Sequence, residues 1–426
     1  MKIAIISSGF FPVIDGVTVS LNQRLRILSQ LNHQVLLLCP DYQPLKAIYP
    51  NWRDHQGEIF PNVNIISLPS EPFMGVKFER NLSTQARPAL QQVLEAFAPD
   101  IVHVDEPDRI FLGLLTAPGV AYAKAHNIPC IGFYHTNFID YIEDFLPLPK
   151  PFIRCVQWLS MLFIRPVFHA YDIILTASSV TQQRLQQLKV KNTVCDRYLG
   201  VDTHTFKSQP KQSNFFQTQY GIENITDKTK LIFLGRLTPD KGWKFTLKAL
   251  AAWVTQTNSH TLHNIAIVIA GDGALKSEIK ATLTQLGITT HFLGRIPPSI
   301  IPALLTNSDI HITTSEKETL GLTVLEAFAA GIPVIAPNTG GVITHIRSGQ
   351  NSILYSPQNV DSFNQALNSL ISSPIRRTKM GEQAQKDVAE YNWNQAVENL
   401  IVTWTEQIDL KNNHQKRTLI ETNQHP

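Results

Sequence analysis

Short apolar runs of strand length alternate with segments of helical periodicity along most of this chain, and that alternation leaves few folds open. Strand-like runs fall at residues 2–6, 34–39, 62–68, 100–104, 129–134, 172–177 and 193–198. Helical segments lie between them, and in the first of these Val17, Leu21, Leu25 and Leu28 share one face. Such alternation builds a parallel, doubly wound α/β sheet. From Gly200 to about Lys230 the pattern fades into GVDTHTFKSQPKQSNFFQTQYGIENITDKTK, which reads as a linker over residues 201–228. A second alternation then begins, with strands expected at 231–234, 265–270, 291–293 and 309–314, and helices near 242–254 and 274–286. At 426 residues the chain is too long for one ordinary core. The expected organisation is therefore two Rossmann-like domains, 1–200 and 229–390, then a C-terminal helix over 391–410 packing back toward the first domain and a disordered tail over 411–426.

Composition narrows the class further. Hydrophobic content of 43% with 17% charged residues is that of a globular protein, and a net charge of +3 is too weak to argue for nucleic acid. Cys39, Cys130, Cys155 and Cys195 show no Cys-x-x-Cys spacing, which points to neither zinc nor a disulfide framework. No Asp-x-Asp occurs and no His/Asp/Glu group has metal-ligand spacing, so no metal cofactor is expected. The opening MKIAIISSGFF reads as a buried strand rather than a signal peptide, and no apolar run reaches eighteen residues. The expected location is cytoplasmic, either free or peripheral on the inner face of a membrane.

The most informative stretch is SDIHITTSEKETLGLTVLEAFAAGIPVIAP, which starts at Ser308 and reads as strand, loop, helix, strand. A helix that begins straight after a loop points the backbone N–H groups of Thr319, Leu320, Gly321 and Leu322, and the positive end of its dipole, at whatever sits above the sheet, a natural anion site. Glu318 stands in the loop and Glu326 about two turns into the helix, with no cation within four residues. A carboxylate so placed must reach water or accept hydrogen bonds from a ligand, because burying it unpaired costs several kcal/mol. On residues alone, one solvated Glu is as good a reading as a ligand rich in hydroxyls and phosphate.

The whole stretch, two Glu separated by seven residues and closed by GIPV, resembles the signature of retaining glycosyltransferases of family 4, which have the GT-B fold of two Rossmann-like domains facing a central cleft. The resemblance spans most of residues 1–405 and is tighter in the second half. It implies that Glu318 holds the donor sugar of a nucleoside-diphosphate sugar and Glu326 its ribose. In LIFLGRLTPDKGW, Arg236 follows a strand end and Lys241 opens the next helix; by themselves these suit a solvated turn equally well, but the Gly-Arg and Lys-Gly pairs resemble the family's diphosphate clamp.

Other positions follow the resemblance one by one. The first loop, SSGFFPVIDGVT, lacks the G-x-G-x-x-G of a dinucleotide site. Gly16 matches the second of two small residues that lie against the donor, whereas Asp15 departs from the pattern. Gly271 in GDG, with Arg295 and Ile296 in LGRI, matches positions that line the nucleotide base, a plain turn being the alternative for Gly271. His135 in YHTNFIDYIEDF, more often a structural residue when taken singly, resembles the active-site His of lipid-directed members such as sulfoquinovosyl- and mannosyltransferases. The stretch from Leu146 to Tyr171, LPLPKPFIRCVQWLSMLFIRPVFHAY, has Lys150, Arg154 and Arg165 among aromatic residues and no acid. It is either a buried crossover helix or an interfacial helix that brings a lipid acceptor to the enzyme.

The implied activity is hexosyl transfer from a nucleotide sugar to an acceptor hydroxyl with retention, without a metal, through front-face attack in which the leaving phosphate oxygen takes the acceptor proton. A membrane glycerolipid is the expected acceptor. A soluble sugar acceptor, a GT-B nucleotide-sugar epimerase or hydrolase, and a non-catalytic sugar-nucleotide binding module are the alternatives.

Overall fold

The apolar runs become the strands of two parallel sheets. The computed structural model describes residues 1–73, 79–145 and 148–423. Residues 146 and 147 of the basic, aromatic-rich stretch and residues 424–426 of the expected tail lie outside the described residues. The chain divides into two compact units: unit 1 is Met1–Ile139, Lys150–Leu199 and Trp393–Pro426, and unit 2 is Asp140–Pro149 and Gly200–Asn392.

Among the described residues, unit 1 is built on ten strands: β1 (Lys2–Ser7), β2 (Gln34–Pro40), β3 (Gly57–Phe60), β4 (Val63–Leu68), β5 (Ser70–Pro72), β6 (Arg80–Leu82), β7 (Ile101–Asp105), β8 (Cys130–Tyr134), β9 (Ile173–Thr176) and β10 (Thr193–Cys195). Eight of them form one sheet in the order β10-β9-β8-β7-β1-β2-β4-β3, parallel except for the β3–β4 pair, while β5 and β6 form a small antiparallel ribbon. Ile3, Ala4, Ile5 and Ile6 are 0% exposed, as a central parallel strand covered on both faces requires. The helix Gly16–Gln30 buries Leu21, Leu25 and Leu28. Its N-terminus explains Asp15: Oδ1 accepts from the Thr18 backbone N–H at 2.9 Å and the Asp15 N–H donates to Thr18 Oγ1 at 3.0 Å, a capping box.

Unit 2 carries β11 (Thr229–Leu234), β12 (Ile265–Ala270), β13 (Thr290–Gly294), β14 (Ile310–Ile312), β15 (Val334–Pro337) and β16 (Ile353–Tyr355), all parallel in the order β13-β12-β11-β14-β15-β16. Its core joins Phe233, Ile267, Ile269 and Ile312 of the sheet to Phe245, Leu250 and Trp253 of one covering helix and Phe363 and Leu367 of another. Both units are Rossmann-like α/β folds.

Two stretches differ from the reading of their composition. Residues 201–228, polar enough to read as a linker, form the short helices Thr203–Lys207 and Phe215–Tyr220. Phe206, Phe215 and Phe216 are buried, and three aromatics outweigh the polar residues between them. At the C-terminus one helix runs Trp393–Asn423, so residues 411–423 are helical rather than a disordered tail. No Pro or Gly interrupts it, and Lys411 holds it to unit 1 through Asp172 at 2.7 Å. Among the described residues no helix is long and apolar enough to cross a membrane.

Candidate functional site

In an open parallel sheet, side chains that follow the strands collect along the carboxyl edge, where ligands bind. Nearly every residue singled out in the second half follows a strand end of unit 2. Arg236 comes after β11, Gly271 after β12, Arg295 and Ile296 after β13, and Glu318 to Leu322 after β14.

The loops after β11 and β14 are fastened together. Thr314 Oγ1 donates to the Lys241 carbonyl at 2.9 Å, and Ser315 Oγ to the Asp240 carbonyl at 3.2 Å. Gly242, at φ 75°, lies so near that a Cβ there would stand 2.3 Å from the Thr314 carbonyl oxygen. These contacts bring Lys241 Nζ within 2.7 Å of Glu318 Oε1. Burial opposes the Lys241 charge, but Glu318, Tyr141 and Asp240 outweigh it and hold its ammonium above the ordinary lysine range. Asp240, which the sequence reading passed over, is buried and stands 3.6 Å from Arg236 and 4.0 Å from Lys241. Its two carboxylate oxygens make no hydrogen bond among the described residues, so it acts as a buried counter-charge to both cations. The same burial that desolvates these groups strengthens their interactions.

Gly321, at φ 88°, ends the loop, and the helix runs Leu322–Ala329. It therefore starts later than the apolar pattern suggests, with Thr319, Leu320 and Gly321 in the loop before it, and Glu326 is one turn in rather than two. Glu326 is only partly open to solvent, and burial pushes its carboxyl up to about 7. Beneath the helix start, buried His311 donates from Nδ1 to the Ile232 carbonyl at 3.2 Å, so Nε2 accepts from Thr323 Oγ1 at 3.3 Å. Burial lowers its pKa to about 4, which keeps the ring neutral for that role. Gly341 was also missed: its N–H donates to the Glu318 carbonyl at 2.6 Å, and a Cβ would lie 1.9 Å from the Thr319 oxygen. The Gly340-Gly341 pair after β15 was the available signal. Gly271 meets a similar constraint, with a Cβ reaching 1.8 Å from the Gly235 oxygen. Arg295 is exposed and Ile296 half-buried.

In unit 1, Gly16 is the first residue of the capped helix after β1, and His135 directly follows β8. His135 Nε2 lies 2.8 Å from Asp105 Oδ1 at the end of β7, and its ring sits 3.9 Å from that of Phe133, centroid to centroid. Burial opposes the charge of Asp105, but Arg24, followed by His135 and His103, holds its carboxyl well below the usual range. The next residue, Glu106, accepts from Ser8 and Thr136 and pairs with Arg109 at 3.7 Å. Asp105 and Glu106 were legible only as the acids in VDEPD at a strand end; nothing local reveals their partners. The helix Lys150–Ala170 shows a divided surface, burying Ile153, Met161, Ile164, Val167 and Phe168 and exposing Phe152, Trp158, Leu159, Leu162 and Phe163.

Known proteins resemble this chain over most of its length. The family model for Glycosyltransferase Family 4 matches residues 14–205, and that for Glycosyl transferases group 1 matches residues 216–387. A GDP-mannose-dependent alpha-mannosyltransferase of Mycolicibacterium smegmatis is 26% identical over 410 residues, 94% of this chain and 96% of that protein. An alpha-monoglucosyldiacylglycerol synthase of Streptococcus pneumoniae is 27% identical across 79% of this chain and 71% of its own. Among solved structures, Anabaena HepE in complex with UDP and glucose superposes with a TM-score of 0.71 at 17% identity, covering 95% of this chain and all (100%) of that one.

Proposed function

The chain belongs to the group 1 glycosyltransferases of the GT-B fold, and we propose that it is a retaining hexosyltransferase whose acceptor is a membrane glycerolipid. The observation that carries the donor side is the Lys241–Glu318 pair, with Arg236 and Glu326, along the carboxyl edge of the unit 2 sheet. In this reading Arg236, Lys241 and the amides at the start of the helix Leu322–Ala329 meet the charge of the leaving diphosphate in place of a metal, a preorganised electrostatic role. Glu318 orients the donor sugar, Glu326 takes the ribose hydroxyls, and the backbone around Gly271, Arg295 and Ile296 lines the base. Gly16 and His135 are the unit 1 residues assigned to the reaction. The anomeric carbon–phosphate oxygen bond breaks while the acceptor oxygen bonds the same face, and the acceptor proton passes to the departing phosphate oxygen.

The lipid acceptor is supported by the exposed stripe of the helix Lys150–Ala170 and by a relative named for a glucosyldiacylglycerol product. At about 100° per residue, Trp158, Leu162, Leu159, Phe152 and Phe163 cover one apolar face, and Arg154 and Arg165 line one edge of it. Aromatic residues beside cations suit the anionic inner face of a membrane.

A thermal-shift screen of UDP, GDP and ADP, each with and without magnesium, tests the donor side. A ligand at a hundred times its Kd adds about 2.7 kcal/mol to the folded state. One nucleotide is expected to stabilise the protein without magnesium, and the shift is expected to vanish in Glu326→Ala. No shift with any of the three overturns the reading.

A further inference from the structure

Within unit 1, four polar side chains from three distant parts of the chain meet with no exposed surface: Arg24, His103, Asp105 and Trp404 are each 0% exposed. Apolar residues would fill the same space without the cost of burying charge, so the hydrogen bonds here call for a reason beyond packing.

Their directions can be worked out. The indole N–H of Trp404, in the helix Trp393–Asn423, can only donate, and it meets His103 Nδ1 at 3.3 Å. Nδ1 therefore carries the lone pair. Burial keeps His103 neutral by lowering its pKa, so its single proton is on Nε2. That nitrogen is 3.2 Å from Asp105 Oδ1 and equally 3.2 Å from Arg24 Nη1. With the proton on Nε2, only the contact with Asp105 is a hydrogen bond. Asp105 Oδ2 accepts from Arg24 Nη2 at 2.6 Å, and Oδ1 also lies 2.8 Å from His135 Nε2. An ionised carboxylate only accepts, so His135 too carries a proton on Nε2.

We propose that Trp404 is a positioning residue: its indole N–H selects the Nε2–H form of His103, which fixes the Asp105 carboxylate that orients His135. Without that N–H, His103 can move its proton to Nδ1 and accept from Arg24 through Nε2. Asp105 then loses one of its donors, and His135 loses the fixed acceptor that sets its ring. The catalytic consequence rests on the role proposed above for His135; the tautomers do not.

The test uses the full chain labelled with ¹⁵N-histidine. Two-bond ¹H–¹⁵N correlation spectra assign the ring protons of His103 and His135 in the wild type and in Trp404→Phe, which keeps an aromatic ring and removes the donor. In parallel, release of nucleoside diphosphate from GDP-mannose and from UDP-glucose is followed with diacylglycerol-containing vesicles. Both imidazoles are expected as Nε2–H in the wild type. In Trp404→Phe the His103 signals are expected to shift toward the Nδ1–H form and kcat to fall about tenfold, with KM for the donor within about twofold. A wild-type His103 protonated on Nδ1 overturns the proposal without any variant. So does a Trp404→Phe protein with unchanged tautomers and full turnover. If His135→Ala keeps full turnover, it is the role of His135 that fails, and the tautomer result still decides the Trp404 contact.

Discussion

A carboxyl group pushed by burial from its ordinary 4.5 up to about 7, as Glu326 is, makes stability depend on pH. Its folded pKa is raised, so the native state holds the proton more tightly than the unfolded chain. The stabilisation is complete below about 4.5 and is lost as pH rises through about 7. Denaturant unfolding of the ligand-free protein between pH 4 and 9 should show that decline. Glu326→Gln should remove it and be more stable at pH 8 by on the order of 2 kcal/mol. Hydroxyl donors favour the charged form, so nucleotide affinity should rise over the same interval, read by titration calorimetry at pH 5.5 and 8. The Lys241–Glu318 pair behaves differently because both side chains reach solvent, at 25% and 21% exposure. Lys241→Met should change stability by only about 1 kcal/mol, whereas turnover should fall at least a hundredfold, roughly what one preorganised donor to a leaving group contributes. Equal losses in both would make the pair structural.

At the scale of elements, the loop from Glu318 to Gly321 holds its shape because Gly341 lies against it. Gly341→Ala would force the Thr319 carbonyl away from a position where it leaves no room for a methyl group. Loss of about 1–3 kcal/mol in stability is expected, together with loss of the nucleotide-induced thermal shift. Gly341 is not among the positive-φ glycines, so the loss would come from that contact and not from backbone strain. The helix Lys150–Ala170 gives the opposite case, in which large apolar side chains contribute little to the fold. Phe163 is 73% exposed and Trp158 62%. Replacing both by Ser should leave Tm within a few degrees, yet lower co-sedimentation with phosphatidylglycerol vesicles at least tenfold, as the loss of two aromatic anchors implies. Unchanged vesicle binding would remove the membrane acceptor from the proposal.

At the scale of the molecule, the helix from Trp393 follows unit 2 in sequence but is structurally part of unit 1. Trp404 is wholly buried, and Val397 and Leu400 beside it are 0% exposed. Ending the chain at Asn392 should therefore expose the unit 1 core and leave that of unit 2 intact. Hydrogen exchange should show β7 and β8 losing protection while β11 and β12 keep it. Uniform loss across both sheets would mean that the two units unfold as one.

How much of this is written locally follows from the range of the forces involved. Strand and helix identity depend on patterns a few residues long, so both sheets were legible from runs such as residues 2–6 and 265–270, and the family from a single stretch around Glu318 and Glu326. The strands Gly57–Phe60 and Ser70–Pro72 were not, because short edge strands are made by pairing rather than by apolar content. The helical course of residues 411–423 depends on what Lys411 meets, and the burial of residues 201–228 on what receives three Phe side chains. Only the tertiary structure could show that Arg24, on a helix read for its leucines, ends beside Asp105, 81 residues away, or that Trp404 reaches His103 across 301. A buried charge or imidazole takes its chemistry from neighbours the chain brings up from afar, and no local pattern of residues records them.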